Sequence, residues 1–393
     1  MDNAEKFEGW IRGPFVEMNT ELENLYFAQP DRMEIESVGN SIKEALRDEG
    51  RALIVPLLEE GKTGDGVVNA FGVLGNVGLY LGALRRHEMT NPDREERSPF
   101  VEASALALHI GVSIGMVPRF ATSHLATHNL AVNGIRKSFT SLRDEFLFID
   151  ENTRGILSFQ SAADALNRIV PLGVTSPVAD VLYEQAKQAM ANVIRFNDRL
   201  FTELDIDRFF FSVRPYYKPY RVGRQVYRGA NAGDFAGINE IDLMLGVCRA
   251  SDPSYSQLLH EKMPFMLPSE QRRLNECMSR RSLLDELLLL IDDHADKPWF
   301  KSSARLYLEV FDLYAETARQ HHDQLVMRFI QRPSDNLAQA RLTGITASGP
   351  SLEVLIRSLE TLRDYRCAAD RPDLATRHRD IARLRAACDK SDS

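Results

Sequence analysis

Apolar residues return at three- and four-residue steps along most of this chain, and runs that alternate residue by residue are few. That period builds one-sided helices rather than pleated strands, so the expected fold class is all-α. Expected helices cover roughly Ser37–Glu60, Val67–His87, Pro99–Gly115, Phe120–Asn133, Ile156–Ile169, Pro177–Leu204, Glu240–Cys248, Pro268–Ala295, Ser302–Ile330 and Leu352–Tyr365. Gly61–Gly66 and the charged stretch Asn91–Ser98 read as connectors. Two longer segments stay irregular, Phe209 to about Asn239 and Gln331–Pro350, and loops of that length inside a folded chain are often functional. The charged tail from Arg371 reads as a frayed helix. No 20–50-residue repeat is present.

Charge and cysteine usage exclude several classes. The formal net charge is −8 with a pI of about 5.7, far from the basic balance of a general nucleic-acid binder. Cys248, Cys277, Cys367 and Cys388 show no CxxC spacing, so neither a zinc site nor a redox motif is expected. The start, MDNAEKFEGW, is acidic and polar, unlike a signal peptide. The apolar stretch Ala103–Val117 is shorter than the ~20 residues of a membrane helix and reads as buried. No nucleic acid or membrane partner is expected, and the expected location is cytoplasmic. Gly72, Gly75, Gly78 and Gly82 lack the preceding strand of a dinucleotide fingerprint; they read as a small-residue stripe that lets another helix approach.

Three sets of side chains could carry chemistry. In the helix Ser302–Ile330, Phe311, Ala315, Ala318, His322, Val326 and Phe329 share one face, so His322 points into the core. His321 lies about 100° round, in the row of Tyr314, Thr317, Gln324 and Arg328. A core imidazole needs a partner for each nitrogen. His322 is either hydrogen-bonded to protein groups or an axial metal ligand presented from a helix. Arg319, one turn earlier, pairs with Asp242, grips a ligand carboxylate or faces solvent. The segment Phe209–Gly223 interleaves Phe209, Phe210, Phe211, Tyr216, Tyr217 and Tyr220 with Arg214, Lys218 and Arg221, and Pro215 and Pro219 keep it from being a helix. It reads as a pocket wall for a flat ligand with a carboxylate, or as a packed loop. No Ser-His-Asp, paired-carboxylate or Walker arrangement stands out, and Asp292-Asp293-His294 reads as solvated.

Together these stretches resemble the indoleamine 2,3-dioxygenase superfamily, nearest to its monodechloroaminopyrrolnitrin synthase-like (PrnB) type. The matching pieces, in order, are Asn76–His87, Val213–Gly223, Tyr227-Arg228-Gly229, Phe235-Ala236-Gly237, Asp242–Gly246, Arg319–Val326 and the loop Thr343–Pro350. The resemblance implies a two-part helical fold, a smaller N-terminal domain over 1–118 and a larger haem-binding domain over 119–393. It implies haem b with His322 as proximal ligand, and Arg319, Thr346 and Ser348 beside the cofactor. Arg214 falls on the arginine that faces substrate, with Phe209, Phe210 and Tyr216 near it. Thr122, Leu125 and Gln160 fall in the distal pocket. The implied partners are a small tryptophan-like aromatic substrate and dioxygen. One departure bears on the reaction. Phe235-Ala236-Gly237 runs almost directly into Asp242, without the Gly/Ser/Ala-rich insert of the dioxygenases. PrnB-like oxidative rearrangement therefore stands beside dioxygenation as the implied chemistry. The alternative is a haem-binding sensor or carrier without turnover.

Overall fold

The computed structural model describes residues 2–61, 66–230, 233–331 and 352–389. It is 71% helical and 2% strand, as the three- and four-residue period requires. The chain forms two compact units. The first comprises Met1–Asp150, Glu203–Asp234 and Phe329–Leu355, the second Glu151–Thr202, Phe235–Arg328 and Ile356–Ser393.

The first unit holds α1 (Asn3–Arg12), α2 (Pro14–Phe27), α3 (Asn40–Glu59), α4 (Val67–Arg86), α5 (Val101–Ile114) and the short α6 (Thr122–Leu125), then the start of α7 (Arg143–Ile169). α1 and α2 lie where no helix was expected. α1 begins in a reciprocal cap between Asp2 and Glu5, a local signal that the apolar-period reading passes over. α4 is long and apolar enough to cross a membrane by length and composition, but its best window is 72% buried inside the fold, which makes it a core helix. Its glycines admit close neighbours. A Cβ at Gly75 would lie 2.4 Å from the His124 ring, and one at Gly78 would lie 2.3 Å from the Phe120 backbone nitrogen. The neighbour is the Phe120–His124 segment, which runs into the short helix α6.

The helix expected over Phe120–Asn133 shrinks to the four residues of α6. Side chains take over the backbone there. The Ala121 N–H donates to His124 Nδ1 at 2.8 Å, and Asn129 Nδ2 donates to the carbonyls of Leu125 and Lys137. Asn133 and Gly134 then take positive φ, which ends any helix. The segment after Thr202 passes through α9 (Ile206–Arg208), a π-turn over Phe209–Val213, a 3-10 turn over Arg214–Tyr217, and the antiparallel pair β1 (Tyr220–Val222) and β2 (Gln225–Tyr227).

The second unit holds the rest of α7, α8 (Pro177–Glu203), α10 (Ala236–Met244), α11 (Pro253–Lys262), α12 (Pro268–Met278), α13 (Leu283–His294), α14 (Pro298–Gln320), α15 (Leu352–Arg366) and α16 (His378–Asp389). Leu166, Tyr183, Met190, Ile241, Leu284, Tyr307, Phe311 and Leu384 belong to its continuous core. Each such side chain contributes about 1.5–3 kcal/mol by leaving water. The single helix expected over Pro268–Ala295 is two, because Ser282 accepts the Asp285 N–H and starts α13 afresh. The expected Ser302–Ile330 helix exists as α14 plus a π-helical continuation over His321–Gln331.

Candidate functional site

α14 starts on Pro298, whose missing N–H costs nothing in the first turn. Its buried stripe is the expected one: Phe311, Ala315, Ala318, His322, Val326 and Phe329 are all covered. His322 is 4% exposed, and its Nδ1 has no hydrogen-bond partner among the described residues. Its Nε2 lies 3.8 Å from Glu360 on α15, beyond a normal hydrogen bond. Burial first, then the charge of Arg363, lowers its pKa, so the ring is neutral near pH 7. A neutral, buried imidazole with an unpartnered nitrogen fits the ligand role that haem iron asks of a helix.

His321 differs. It continues the row of Tyr314 and Thr317, both buried, yet is itself solvent-accessible. Burial pushes its pKa down to about 4, with Arg366 adding to the effect. The two histidines stand where the α-helix widens into the π-helix, a feature concentrated at functional sites.

The expected pairing of Arg319 with Asp242 does not occur. Arg319 is exposed and pairs with Glu316, one turn back, at 2.9 Å. Asp242 is fully buried and takes a two-pronged contact from Arg366, at 2.8 Å to each carboxylate oxygen. The Tyr314 hydroxyl donates to Oδ1 at 2.6 Å and the Tyr255 hydroxyl to Oδ2 at 2.7 Å. Arg366 won because it reaches Asp242 from the end of α15, while Arg319 lies off the buried face of α14. Nothing in sequence spacing points to a partner 124 residues away. Gln160 on α7 donates to Glu270 at 3.3 Å, and Glu270 in turn accepts the Leu267 N–H at the start of α12. Gly237 leaves room for this approach, since a Cβ there would lie 3.2 Å from the Gln160 backbone nitrogen.

In the first unit the aromatic and basic segment is anchored from both sides. Arg86, at the end of α4, forms a buried two-pronged pair with Glu23 at 2.7 and 2.9 Å and also donates to the Phe211 carbonyl at 2.9 Å. Phe209 packs on Phe148 and Phe329, with ring centres 5.0 and 6.0 Å away. The Arg214 guanidinium lies 5.5 Å from the Phe210 ring centre. Arg214 is only 9% exposed, and no hydrogen bond or ion pair joins its guanidinium to any described residue. Burial alone pushes its pKa down to about 10, so it remains a cation at neutral pH.

Tyr216 stacks on Phe139 at 4.4 Å and meets His87 edge-on at 5.8 Å; its buried hydroxyl has no partner among the described residues. Leu125 is buried and Thr122 half-buried on α6. Phe209, Phe210, Arg214 and Tyr216 thus share one segment of the first unit, with Thr122 and Leu125 elsewhere in that unit. His322, Arg319 and Gln160 belong to the second unit. Thr346 and Ser348 lie outside the described residues. A residue that sequence reasoning missed is Arg366, which gave no sequence signal. A family model described as monodechloroaminopyrrolnitrin synthase PrnB matches residues 1–388 of the chain.

Proposed function

Because this chain belongs to the monodechloroaminopyrrolnitrin synthase family, whose members are haem-dependent oxygenases acting on a tryptophan-derived substrate, we propose that Arg214 anchors the carboxylate of that substrate and that His322 holds the haem iron. The observation that carries the reading is the Arg214 guanidinium, buried and without an anion among the described residues. A charge in that setting is costly until a counter-charge arrives, and a carboxylate supplies one in the two-pronged geometry a guanidinium favours. Phe209 and Phe210, on the same turn, offer ring faces to a flat aromatic ligand.

Haem b, when bound, supplies the oxidative chemistry with dioxygen. The chain's own part is to hold and orient. His322 is neutral and its Nδ1 has no partner among the described residues, so the ring can coordinate without first losing a proton. Arg319, Thr346 and Ser348 remain proposals for the cofactor's polar edge. Thr122, Leu125, Gln160 and Tyr216 remain proposals for the pocket wall, all from the sequence pattern. Oxidative rearrangement is preferred to simple ring cleavage, because the insert between Phe235-Ala236-Gly237 and Asp242 is missing.

Arg214→Leu tests the anchor. The variant is expected to keep haem, to weaken binding of tryptophan by about ten- to a hundredfold, and to spare indole, since a charge-assisted contact contributes roughly 1.5–3 kcal/mol. Equal weakening of both ligands would remove the carboxylate role. For the iron ligand, His322→Ala is expected to abolish stoichiometric haem binding while His321→Ala retains it, read from the Soret band. The reverse result would assign the ligand to His321, a second reading favoured by its accessible ring on the row of Tyr314 and Thr317.

A further inference from the structure

The Arg214 guanidinium has a ring face beside it and no hydrogen bond to any described residue, so its direction is set by its backbone. That backbone is irregular, a π-turn over Phe209–Val213 that passes into a 3-10 turn over Arg214–Tyr217. Pro215 lies four residues after Phe211 and has no N–H, so the Phe211 carbonyl lacks the donor an α-helix would supply. Arg86, at the end of α4, supplies one from outside, with Nη2 2.9 Å from that oxygen. The same guanidinium is fixed by Glu23 of α2, Nε to Oε1 at 2.7 Å and Nη2 to Oε2 at 2.9 Å. The pair is buried, with 6% and 0% of the two side chains exposed. On the other side of Arg214, the His87 ring meets the Tyr216 ring edge-on, with 5.8 Å between centres. His87 is held in turn by the Tyr26 hydroxyl at 2.9 Å and by Asn19 Oδ1 at 2.7 Å. Phe211 and Tyr216 flank Arg214 along the chain, so α2 and the end of α4 hold the segment before and after it.

We propose that Arg86 is a positioning residue for the Arg214 site: locked by Glu23, it fixes the Phe211 carbonyl and, through it, the direction in which Arg214 meets a ligand carboxylate. The proposal rests on the reading of Arg214 as the carboxylate anchor. A guanidinium suits the task by its shape. It is a planar fork of five donors and holds a carboxylate and a carbonyl at once, whereas a lysine ammonium is a point charge on a flexible stem. The charge of Arg86 is matched by Glu23, so Arg86 does not compete for the ligand carboxylate itself. A two-pronged contact to a carboxylate depends on direction, while burial of an apolar ring depends mainly on area. A small turn of the backbone between Phe211 and Arg214 therefore weakens the binding of acids more than that of neutral aromatics with the same ring. The Glu23–Arg86 pair thus sets the preference of the site for acids over neutral ligands.

The test uses the haem-loaded protein with indole-3-propionate and indole as probes, and reads dissociation constants by calorimetry. Arg86→Lys keeps a cation beside Glu23 and gives up the second reach to the Phe211 carbonyl. It is expected to weaken propionate binding about three- to tenfold, part of the ten- to hundredfold carried by the whole contact, and to change indole binding less than about twofold. In an Arg214→Leu background the same substitution is expected to change neither, because the residue it acts through is gone. If Arg86→Lys fails to fold, the paired variant Glu23→Leu with Arg86→Met leaves no buried charge unmatched and is expected to give the same pattern. Equal weakening of both probes, no weakening of the propionate, or a loss of the same size with and without Arg214 overturns the proposal. Arg214→Leu alone separates the two readings. If it weakens propionate binding while the Arg86 variants do not, only the Arg86 proposal falls. If it leaves propionate binding intact, the Arg214 anchor falls, and the Arg86 proposal with it.

Discussion

Asp242 in the second unit and Arg214 in the first are both charged side chains inside a helical core, and their surroundings differ in kind. Asp242 has each carboxylate oxygen matched by a guanidinium N–H and a tyrosine hydroxyl. The network extends through Asn239, which donates to the Tyr255 hydroxyl and accepts from Lys262. Arg214 has a ring face and no anion among the described residues. A closed set of hydrogen bonds holds helices α10, α11, α14 and α15 in place and leaves nothing for a ligand to do. An open one costs stability and is retained where something else completes it. The contrast separates the charge that builds the fold from the charge proposed to meet the substrate, although both look alike in a sequence.

The contrast can be broken most directly at Asp242. Asp242→Asn leaves Arg366 buried without its charge partner, and a loss of about 3–5 kcal/mol is expected in urea unfolding. A loss below about 1 kcal/mol would mean that the network is not what holds α15. Acid provides the next largest effect, through buried histidines, two of them in the first unit. His87 is buried between Tyr26 and Asn19, and burial lowers its pKa well below 6.5; burial likewise pushes His124 down to about 3. Both are neutral when folded and accept a proton when unfolded. The stability they contribute is therefore present above pH 6.5 and lost as pH falls below it. Each is expected to cost about 2 kcal/mol between pH 7 and 5. A thermal melt that is flat over that range would contradict the assignment.

At Arg214 the expected change in stability is small and of opposite sign to that at Asp242. Arg214→Met removes a desolvated charge that no protein group compensates, so the unliganded protein should unfold at equal or slightly higher urea, within about 1 kcal/mol. A loss comparable to that of Asp242→Asn would reveal a structural partner for Arg214 and close the gap between the two regions. The smallest effect is expected at Arg319. Its pair with Glu316 is half in solvent, and Arg319→Ala should cost less than about 0.5 kcal/mol in the same assay.

Much of the helical framework was legible because a long one-sided stripe has few alternatives. α4, α8 and the α14 stripe through His322 fall where the apolar period puts them. Local chemistry hid other parts. Phe120–Asn133 carries a helical pattern, but the side chains of His124 and Asn129 bond to the backbone and end the helix after one turn. The irregular character of the segment after Phe209 was readable from Pro215 and Pro219, whereas its π-turn and hairpin were not.

The sequence by itself determined the fold class, the inward direction of His322 and the family, because periodicity and ordered motifs are properties of the chain taken one turn at a time. Only the tertiary structure decided which charges are satisfied. Asp242 could have met Arg319 or Arg366, and the distance along the chain says nothing about which guanidinium arrives. Arg214 reads as one basic residue among several until burial removes the water and no described anion takes its place. The cost of an uncompensated charge depends on everything packed around it, and so it exists only once the chain is folded.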